Sequence, residues 1–218
     1  MADGASGFQL LGGQKETVMM VSQILLDEVE TISGEERLIL LPDWLCDDED
    51  IPKNKSNLLR TCSIPEWNLQ NVAVGAEMKN VAWKVDVGDM DTLGLRQFQA
   101  VTLPGTVMLS LNQSLAPPTW LRSLLFQRFQ NPALYAGWVQ PTSNGSFYSA
   151  VSSWGCSALL VAISGPDQSL NVSLHLPYFS ASARLILSTK GGRNLGQVFQ
   201  DMVLLEPGEA QLLRLTPQ

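Results

Sequence analysis

From residue 58 onward, short apolar runs alternate with turn residues. The clearest run is 81–87, in which Val81, Trp83, Val85 and Val87 occupy every second position. A period of two is typical of a β-strand with one buried face, and turns spaced roughly 8–12 residues apart are typical of a β-sandwich or barrel. The same pattern predicts further strands at Gln97–Leu103, Thr106–Leu111, Leu134–Val139, Ser146–Val151, Ser157–Ile163, Leu170–Leu176, Arg184–Ser188, Gln197–Leu205 and Ala210–Leu215.

One segment departs from this pattern. Residues 119–130 follow two prolines and precede Asn131-Pro132, which predicts a helix with Thr119 as its cap. One short helix within a run of strands favours an all-β fold, an antiparallel eight-stranded jelly-roll sandwich with one or two short helices. The expected apolar face of the helix comprises Leu121, Leu124, Leu125 and Phe129, and its polar face Arg122, Gln127 and Arg128.

The first 57 residues have a different texture. Residues 1–16 are rich in glycine and predict a flexible, extended arm, while residues 17–30 fit either a helix or a strand. The apolar run 38–41 ends at Pro42, and a turn or linker is expected to follow it. The sequence therefore predicts an acidic N-terminal arm and linker at 1–57 and a single jelly-roll domain at 58–218.

Charge is unevenly distributed. The chain carries a net charge of −7, yet residues 1–50 contain twelve acidic and only two basic residues. The four acids Asp47–Asp50 are expected to form a solvated loop, with docking on a basic neighbouring surface as the alternative. Phosphates would repel such a segment, so binding of nucleic acid by the N-terminal arm is disfavoured.

The cysteines and the Asn-x-Ser triplets both bear on the cellular compartment. Cys46, Cys62 and Cys156 are too widely spaced for a zinc site and odd in number, which predicts reduced thiols in a reducing compartment. The N-terminus lacks the basic region of a signal peptide. The triplets would be glycosylation acceptors in a secreted protein but are expected here to be chance occurrences; they begin at Asn54, Asn112, Asn144 and Asn171.

The sequence offers little catalytic chemistry. His175 is the single histidine, so a Ser-His-Asp triad would have to use it as the base, with Ser173 on the same strand face. A histidine on a surface or between subunits is the expected role. The stretch Gly191–Gly196 lacks the Lys-Ser/Thr ending of a phosphate-binding loop and is interpreted as a mobile loop. No enzyme class, metal or cofactor is predicted.

Six tryptophans are candidates for either core packing or recognition. Core positions are expected for Trp83, Trp120 and Trp138. Trp154, within Ser152-Ser153-Trp154-Gly155, is the best candidate for a loop aromatic at an interface. In the alternative interpretation, a non-viral β-sandwich binding module recognises carbohydrate or protein through exposed tryptophans such as Trp154 or Trp67.

Several motifs occur in an order that suggests a family. A helix is followed by Asn131-Pro132 and Tyr135, then by Gly145-Ser146-Phe147, then by a strand that ends at Ser153-Trp154. The element Leu176-Pro177-Tyr178-Phe179-Ser180 follows later, and the chain ends at Gln218. The segment from Trp120 to Leu160, together with the element at 176–180, resembles the coat proteins of picorna-like viruses, especially plant viruses of the comovirus, nepovirus and cheravirus type.

The resemblance implies a capsid protein, cut from a polyprotein after Gln218, that assembles in the host cytoplasm into an icosahedral virion. Its partners would be other capsid subunits, with sequence-independent RNA contact possible and no membrane involved. Candidate interface residues are Trp154, His175 and Tyr178.

Overall fold

A computed structural model describes most of the chain and divides it into two compact units. Unit 1 comprises Met1–Ser63, Met78–Lys84 and Gly105–Met108, and unit 2 comprises Ile64–Glu77, Val85–Pro104 and Leu109–Gln218. The residues whose placement the structure describes are 7–32, 38–43, 58–64, 81–85, 90–109, 118–141 and 148–217.

Unit 1 is built on a five-stranded sheet with one helix. The helix α1 (Lys15–Ile32) connects the first two strands, which pair in parallel, as a helical crossover requires. The next two pairings are parallel as well. The strands, in their order across the sheet, are β1 (Gly7–Gln9), β2 (Leu38–Leu41), β3 (Leu58–Ser63), β4 (Val81–Val85) and β5 (Thr106–Leu109).

Continuous apolar runs explain these parallel strands. Parallel strands are usually covered on both faces and read as unbroken hydrophobic stretches. In β4, Val81, Ala82 and Trp83 are all buried, and in β2 Ile39 and Leu41 are completely buried. The helix α1 contributes to the same core, which consists of Val18, Ile39, Leu41 and Leu58.

Unit 2 has three layers. Its helices are α2 (Met90–Thr102), α3 (Thr119–Gln130) and α4 (Pro132–Tyr135), and they contact the six-stranded antiparallel sheet. In order across that sheet, the strands are β11 (Val198–Gln200), β10 (Phe179–Ser188), β13 (Ala210–Pro217), β8 (Ser157–Ile163), β7 (Tyr148–Trp154) and β6 (Trp138–Pro141). The third layer is an antiparallel pair, β9 (Leu170–Ser173) and β12 (Met202–Leu205).

The central strand β8 shows how the layers are held together. Ala158, Leu160 and Ala162 belong to the cluster that packs against β9 and β12. Leu159 and Val161 point to the opposite face, where the helices lie, and are also buried. The run is apolar throughout because both of its faces are covered.

The predicted all-β jelly roll with an extended N-terminal arm is wrong. Unit 1 contains a parallel sheet, and the residues expected to form a flexible arm include β1 and the start of α1. The predicted strand Gln97–Leu103 is largely the end of α2. The second error has a clear cause: residues 97–103 are all buried, and a short run that is buried on all sides has no periodicity to separate helix from strand.

Several local predictions are confirmed. The helix α3 spans the predicted residues 119–130, and β8 spans the predicted residues 157–163. The cap differs, because Pro118 occupies the N-cap position and no side chain caps the helix. The expected strand 134–139 divides into α4 and β6 at Gly137, where a Cβ atom would overlap the backbone of Ala133.

Arg128 fastens the helix layer together. Its Nη1 atom lies 2.7 Å from the carbonyl oxygens of Val101 and Leu103, at the end of α2, and 2.6 Å from that of Leu134 in α4. Carbonyl groups at helix ends lack helical partners and carry partial negative charge. Burial lowers the pKa of Arg128 to about 10, so the guanidinium remains charged at neutral pH.

The contacts of Arg128 predict that replacing this residue lowers the free energy of unfolding substantially. Arg128→Met leaves three carbonyl groups without this donor and should lower the free energy of unfolding by about 2–4 kcal/mol. Urea unfolding, followed by circular dichroism, measures this change. Arg122→Met on the exposed side of α3 is the matched control and should change stability by less than about 0.5 kcal/mol. Equal effects of the two substitutions would contradict the fastening role.

Candidate functional site

Glu209, at the turn that leads into β13, accepts five hydrogen bonds through its side chain. Its side chain is completely buried. Oε1 accepts hydrogen bonds from Ser188 Oγ at 2.7 Å, Gln211 Nε2 at 2.7 Å and Arg193 Nε at 2.9 Å. Oε2 accepts from the Glu206 backbone N–H at 2.8 Å and from Arg193 Nη2 at 2.5 Å.

These donors keep the carboxylate ionised. Burial alone would raise the pKa of Glu209, but the hydrogen bonds from Arg193, the Glu206 amide, Gln211 and Ser188 together lower it below its ordinary value. The same bond to Glu209 raises the pKa of Arg193. The pair is a bidentate Arg–carboxylate contact, which is among the stronger protein hydrogen-bond arrangements.

The hydrogen-bond acceptor sites of the Glu209 carboxylate are all occupied, which limits what this group can do chemically. A carboxylate has about four lone-pair sites on its two oxygens, and five donors already surround it. A proton, a metal ion or a substrate could reach it only by displacing those donors. We therefore assign Glu209 a positioning role in which it fixes the loops that hold Ser188, Arg193 and Glu206.

Sequence patterns did not predict this centre. The stretch Gly191–Gly196 was predicted to be a mobile loop, yet its Arg193 is tied to Glu209. Gly192 and Gly196 have φ angles of 84° and 87°, in the left-handed region that favours glycine. The glycines therefore shape a loop that delivers an arginine to a buried acid.

The helix α3 presents an apolar surface to solvent. Leu121 and Leu124 are buried, but Phe129 is 85% exposed, Phe126 57% and Leu125 40%. The predicted apolar face of α3 is thus only half correct. Arg122 lies exposed one turn before Leu125 and Phe126. We call Arg122, Leu125, Phe126 and Phe129 the α3 stripe.

The predicted interface residues are exposed; Trp154 lies on β7, whereas His175 and Tyr178 lie in the connection between β9 and β10. Trp154 ends β7 and is 54% exposed. Tyr178 lies in the connection between β9 and β10 and is 86% exposed, with a φ of 70°. No hydrogen bond, ion pair or ring contact joins Trp154, His175 and Tyr178 in the described ranges. Gln218, the expected processing end, lies outside the described residues.

His175 does not face Ser173 as a base would face a nucleophile. Its Nε2 lies 3.3 Å from Asp201 Oδ1, with both side chains about two-thirds exposed. The Ser173 hydroxyl instead accepts a hydrogen bond from the His175 backbone N–H at 3.3 Å. The Ser173 hydroxyl therefore makes a local contact with the backbone of the turn that follows β9.

The tryptophan predictions have mixed outcomes. Trp83 is buried, and Trp120 contacts Phe98 with ring centroids 6.0 Å apart, as core positions require. Trp138, also expected in the core, is 63% exposed on the strand β6 at the end of its sheet. Trp67 lies outside the described residues.

Cys62 changes the interpretation of the cysteines. It takes part in a disulfide bond and is buried, whereas Cys156 is an exposed free thiol. The expectation that all three thiols are reduced is therefore wrong. Cys46 lies outside the described residues.

Among the described residues, neither a metal-binding cluster nor a membrane-spanning helix is present. No group of three or more His, Cys, Asp or Glu side chains there is placed to hold a metal ion. No helix among those residues combines the length and apolar character needed to cross a membrane.

Comparison with known proteins gives matches only at the level of structure. The sequence matches no protein-family model and no curated protein sequence. The isomaltulose synthase of Erwinia rhapontici NX5 is 21% identical over 52% of this chain, with a TM-score of 0.40. The isomaltulose synthase SmuA of Protaminobacter rubrum is 19% identical over 51%, also with a TM-score of 0.40. The isomaltulose synthase of Klebsiella sp. LX3 is 18% identical over 44%, with a TM-score of 0.37.

This chain spans only about a fifth of the length of these enzymes, 22%, 22% and 17% respectively. The described fold corrects the family suggested by the motifs, because unit 1 holds parallel strands and helices form one layer of unit 2. The three solved structures named above are isomaltulose synthases and not viral coat proteins. The interpretation as a non-enzymatic capsid protein of a plant virus is wrong, and its jelly roll is absent from the described fold. The associated expectations about RNA contact and virion localisation rested on that resemblance.

The coordination of Glu209 predicts a pH-dependent stability. Glu209→Gln breaks a buried ion pair and should lower the free energy of unfolding by about 3 kcal/mol at pH 7. The lowered pKa of Glu209 gives stability that is present above the unfolded pKa of about 4.3 and is lost as pH falls through the folded value. The difference between wild type and variant should therefore shrink below about pH 4.

Urea unfolding at a series of pH values measures this difference. Glu206→Gln is the matched control, because Glu206 is largely exposed and its carboxylate lies 3.4 Å from Arg193. That change should cost less than about 1 kcal/mol. A Glu209→Gln penalty that stays constant down to pH 2 would show that the carboxylate charge is not the stabilising feature.

Proposed function

We propose that the protein functions through self-association, with the α3 stripe of one copy docking on the α3 stripe of a second copy. The observation that carries the proposal is the exposure of Phe126 and Phe129 side by side on a helix whose other face is firmly packed. Exposed contiguous aromatic residues mark interaction surfaces in soluble proteins, and aromatic side chains dominate binding energy at interfaces.

Rigid presentation of the stripe supports this role. Leu121 and Leu124 anchor the inner face of α3, and Trp120 contacts Phe98 on α2. Arg128 ties the end of α3 to the ends of α2 and α4. A surface that is already ordered loses little conformational entropy on binding, so more of its contact energy appears as affinity.

The stripe is complementary to itself. In an antiparallel pair of α3 helices, a two-fold axis between Leu125 and Phe126 sets each Leu125 opposite Phe126 of the second copy. The same axis sets Arg122 opposite Phe129 of the second copy. A guanidinium over a phenyl ring is a favourable cation–π contact, and a two-fold interface repeats it on both sides.

The small size of the stripe sets the expected affinity. Three apolar side chains per copy form the centre of a small interface, well below the area of an obligate dimer. Dissociation constants for such interfaces fall in the micromolar range. The association is therefore expected to be reversible and dependent on concentration.

Sedimentation velocity of the full chain tests the proposal. The measurement runs from about 1 to about 100 μM, which spans micromolar dissociation. A Cys156→Ser background prevents dimers that form through the exposed free thiol. The wild-type surface should shift from monomer to dimer, and Phe126→Ser together with Phe129→Ser should weaken association at least about tenfold.

Two further variants make the test specific. Arg122→Gln removes only the cation–π contact and should weaken association about two- to five-fold. Leu195→Ser, on a loop residue that is 65% exposed and outside α3, is the matched control and should leave association unchanged. A wild-type chain that stays monomeric throughout, or a double variant that dimerises normally, would contradict the proposal.

A further inference from the structure

The two-stranded layer of unit 2 carries an Asn-x-Ser triplet on its outer surface. Asn171, Val172 and Ser173 form most of β9, where burial alternates along the strand. Asn171 and Ser173 point to solvent, and Val172 points into the core. The residue between Asn and Ser is not proline, as a glycosylation acceptor requires.

The partner strand places apolar side chains beside Asn171. Asn171 is in register with Leu204 on β12, and Ser173 is in register with Met202. Leu204 is 53% exposed and Met202 is 58% exposed, although Val203 between them is fully buried. The outer face of this layer is thus apolar on one strand and polar on the other.

The disulfide at Cys62 supplies an independent observation about compartment. Disulfide bonds persist in secreted and extracellular proteins and in the lumen of the endoplasmic reticulum, and they are rare where thiols are kept reduced. Cys62, which belongs to unit 1, is 1% exposed and takes part in such a bond. The oxidising lumen that forms disulfides is also where Asn-x-Ser triplets receive glycans.

We infer that Asn171 is an N-glycosylation site and that the chain folds in an oxidising, secretory compartment. The donor of the glycan is a lipid-linked oligosaccharide diphosphate of the cell that synthesises the protein. The Asn171 side-chain nitrogen forms a bond to the first sugar carbon, the bond from that carbon to the diphosphate oxygen breaks, and the amide loses one proton. The lipid diphosphate is the leaving group.

The glycan would also complete the surface. The first sugar at Asn171 lies beside Leu204, so it shields that side chain and Met202 from water, as glycans on protein surfaces do. The site is on the face of the six-stranded sheet opposite the helix layer. Glycosylation at Asn171 is therefore compatible with association through the α3 stripe.

Expression of the full chain behind a cleavable secretion signal in eukaryotic cells tests the inference. Glycopeptide mass spectrometry of the secreted protein should find the Asn171 peptide glycosylated. Asn171→Gln should remove one glycan from the intact mass, and Ser173→Ala should do the same. Asn194→Gln changes an exposed asparagine outside any triplet and should leave the mass of the glycans unchanged.

The remaining outcomes distinguish an incorrect glycosylation site from an incorrect cellular compartment. An unmodified Asn171 peptide beside an occupied triplet at Asn54, Asn112 or Asn144 would overturn the site. No glycan on any triplet, together with a Cys62 thiol that reacts with maleimide after denaturation, would overturn the compartment. Sedimentation velocity of Asn171→Gln should give the wild-type association, which keeps this test independent of the proposed function.

Discussion

Unit 2 depends on one buried carboxylate. Glu209 immediately precedes β13, the strand that pairs with β10 on one side and β8 on the other, so its position helps to set the register of the central sheet. Its side chain binds the end of β10 through Ser188 and the following loop through Arg193, and its backbone exchanges hydrogen bonds with Ser164 at the end of β8. A buried charge is tolerated only when fully paired, and full pairing makes its neighbours mutually dependent.

Arg128 is a second charged side chain that joins several elements of unit 2, and its charge is opposite to that of Glu209. Glu209 collects donors from loops of the sheet, and Arg128 collects carbonyl acceptors from the ends of α2 and α4. Each half-buried or buried charge replaces many weaker contacts that short helices and loops cannot supply. The consequence is rigidity: the contacts of Arg128 hold the end of α3 in the position in which Phe129 is exposed.

The sequence predicted those features that are encoded locally. The boundaries of α3 follow from flanking prolines, and β8 contains a six-residue apolar run, 158–163, between turns. The parallel sheet and the end of α2 were missed because burial on every side removes the period that distinguishes strand from helix. The Glu209 centre was missed because its arginine lies sixteen residues away, in a glycine-rich loop whose composition predicts mobility. Contacts between distant loops leave no periodic signal in one sequence.

The two outer faces of unit 2 illustrate how layering creates surfaces with different partners. Each outer layer is only one element thick, so each exposes apolar side chains that its inner face cannot absorb: Phe126 and Phe129 on α3, and Met202 and Leu204 on β12. In the proposed self-association, each α3 stripe offers a ring and a cation in the same spacing, so two copies are complementary. A strand pair would instead invite further strands to add at its edges. A glycan on Asn171, in register with Leu204, would block that face by bulk and direct association to the helix layer.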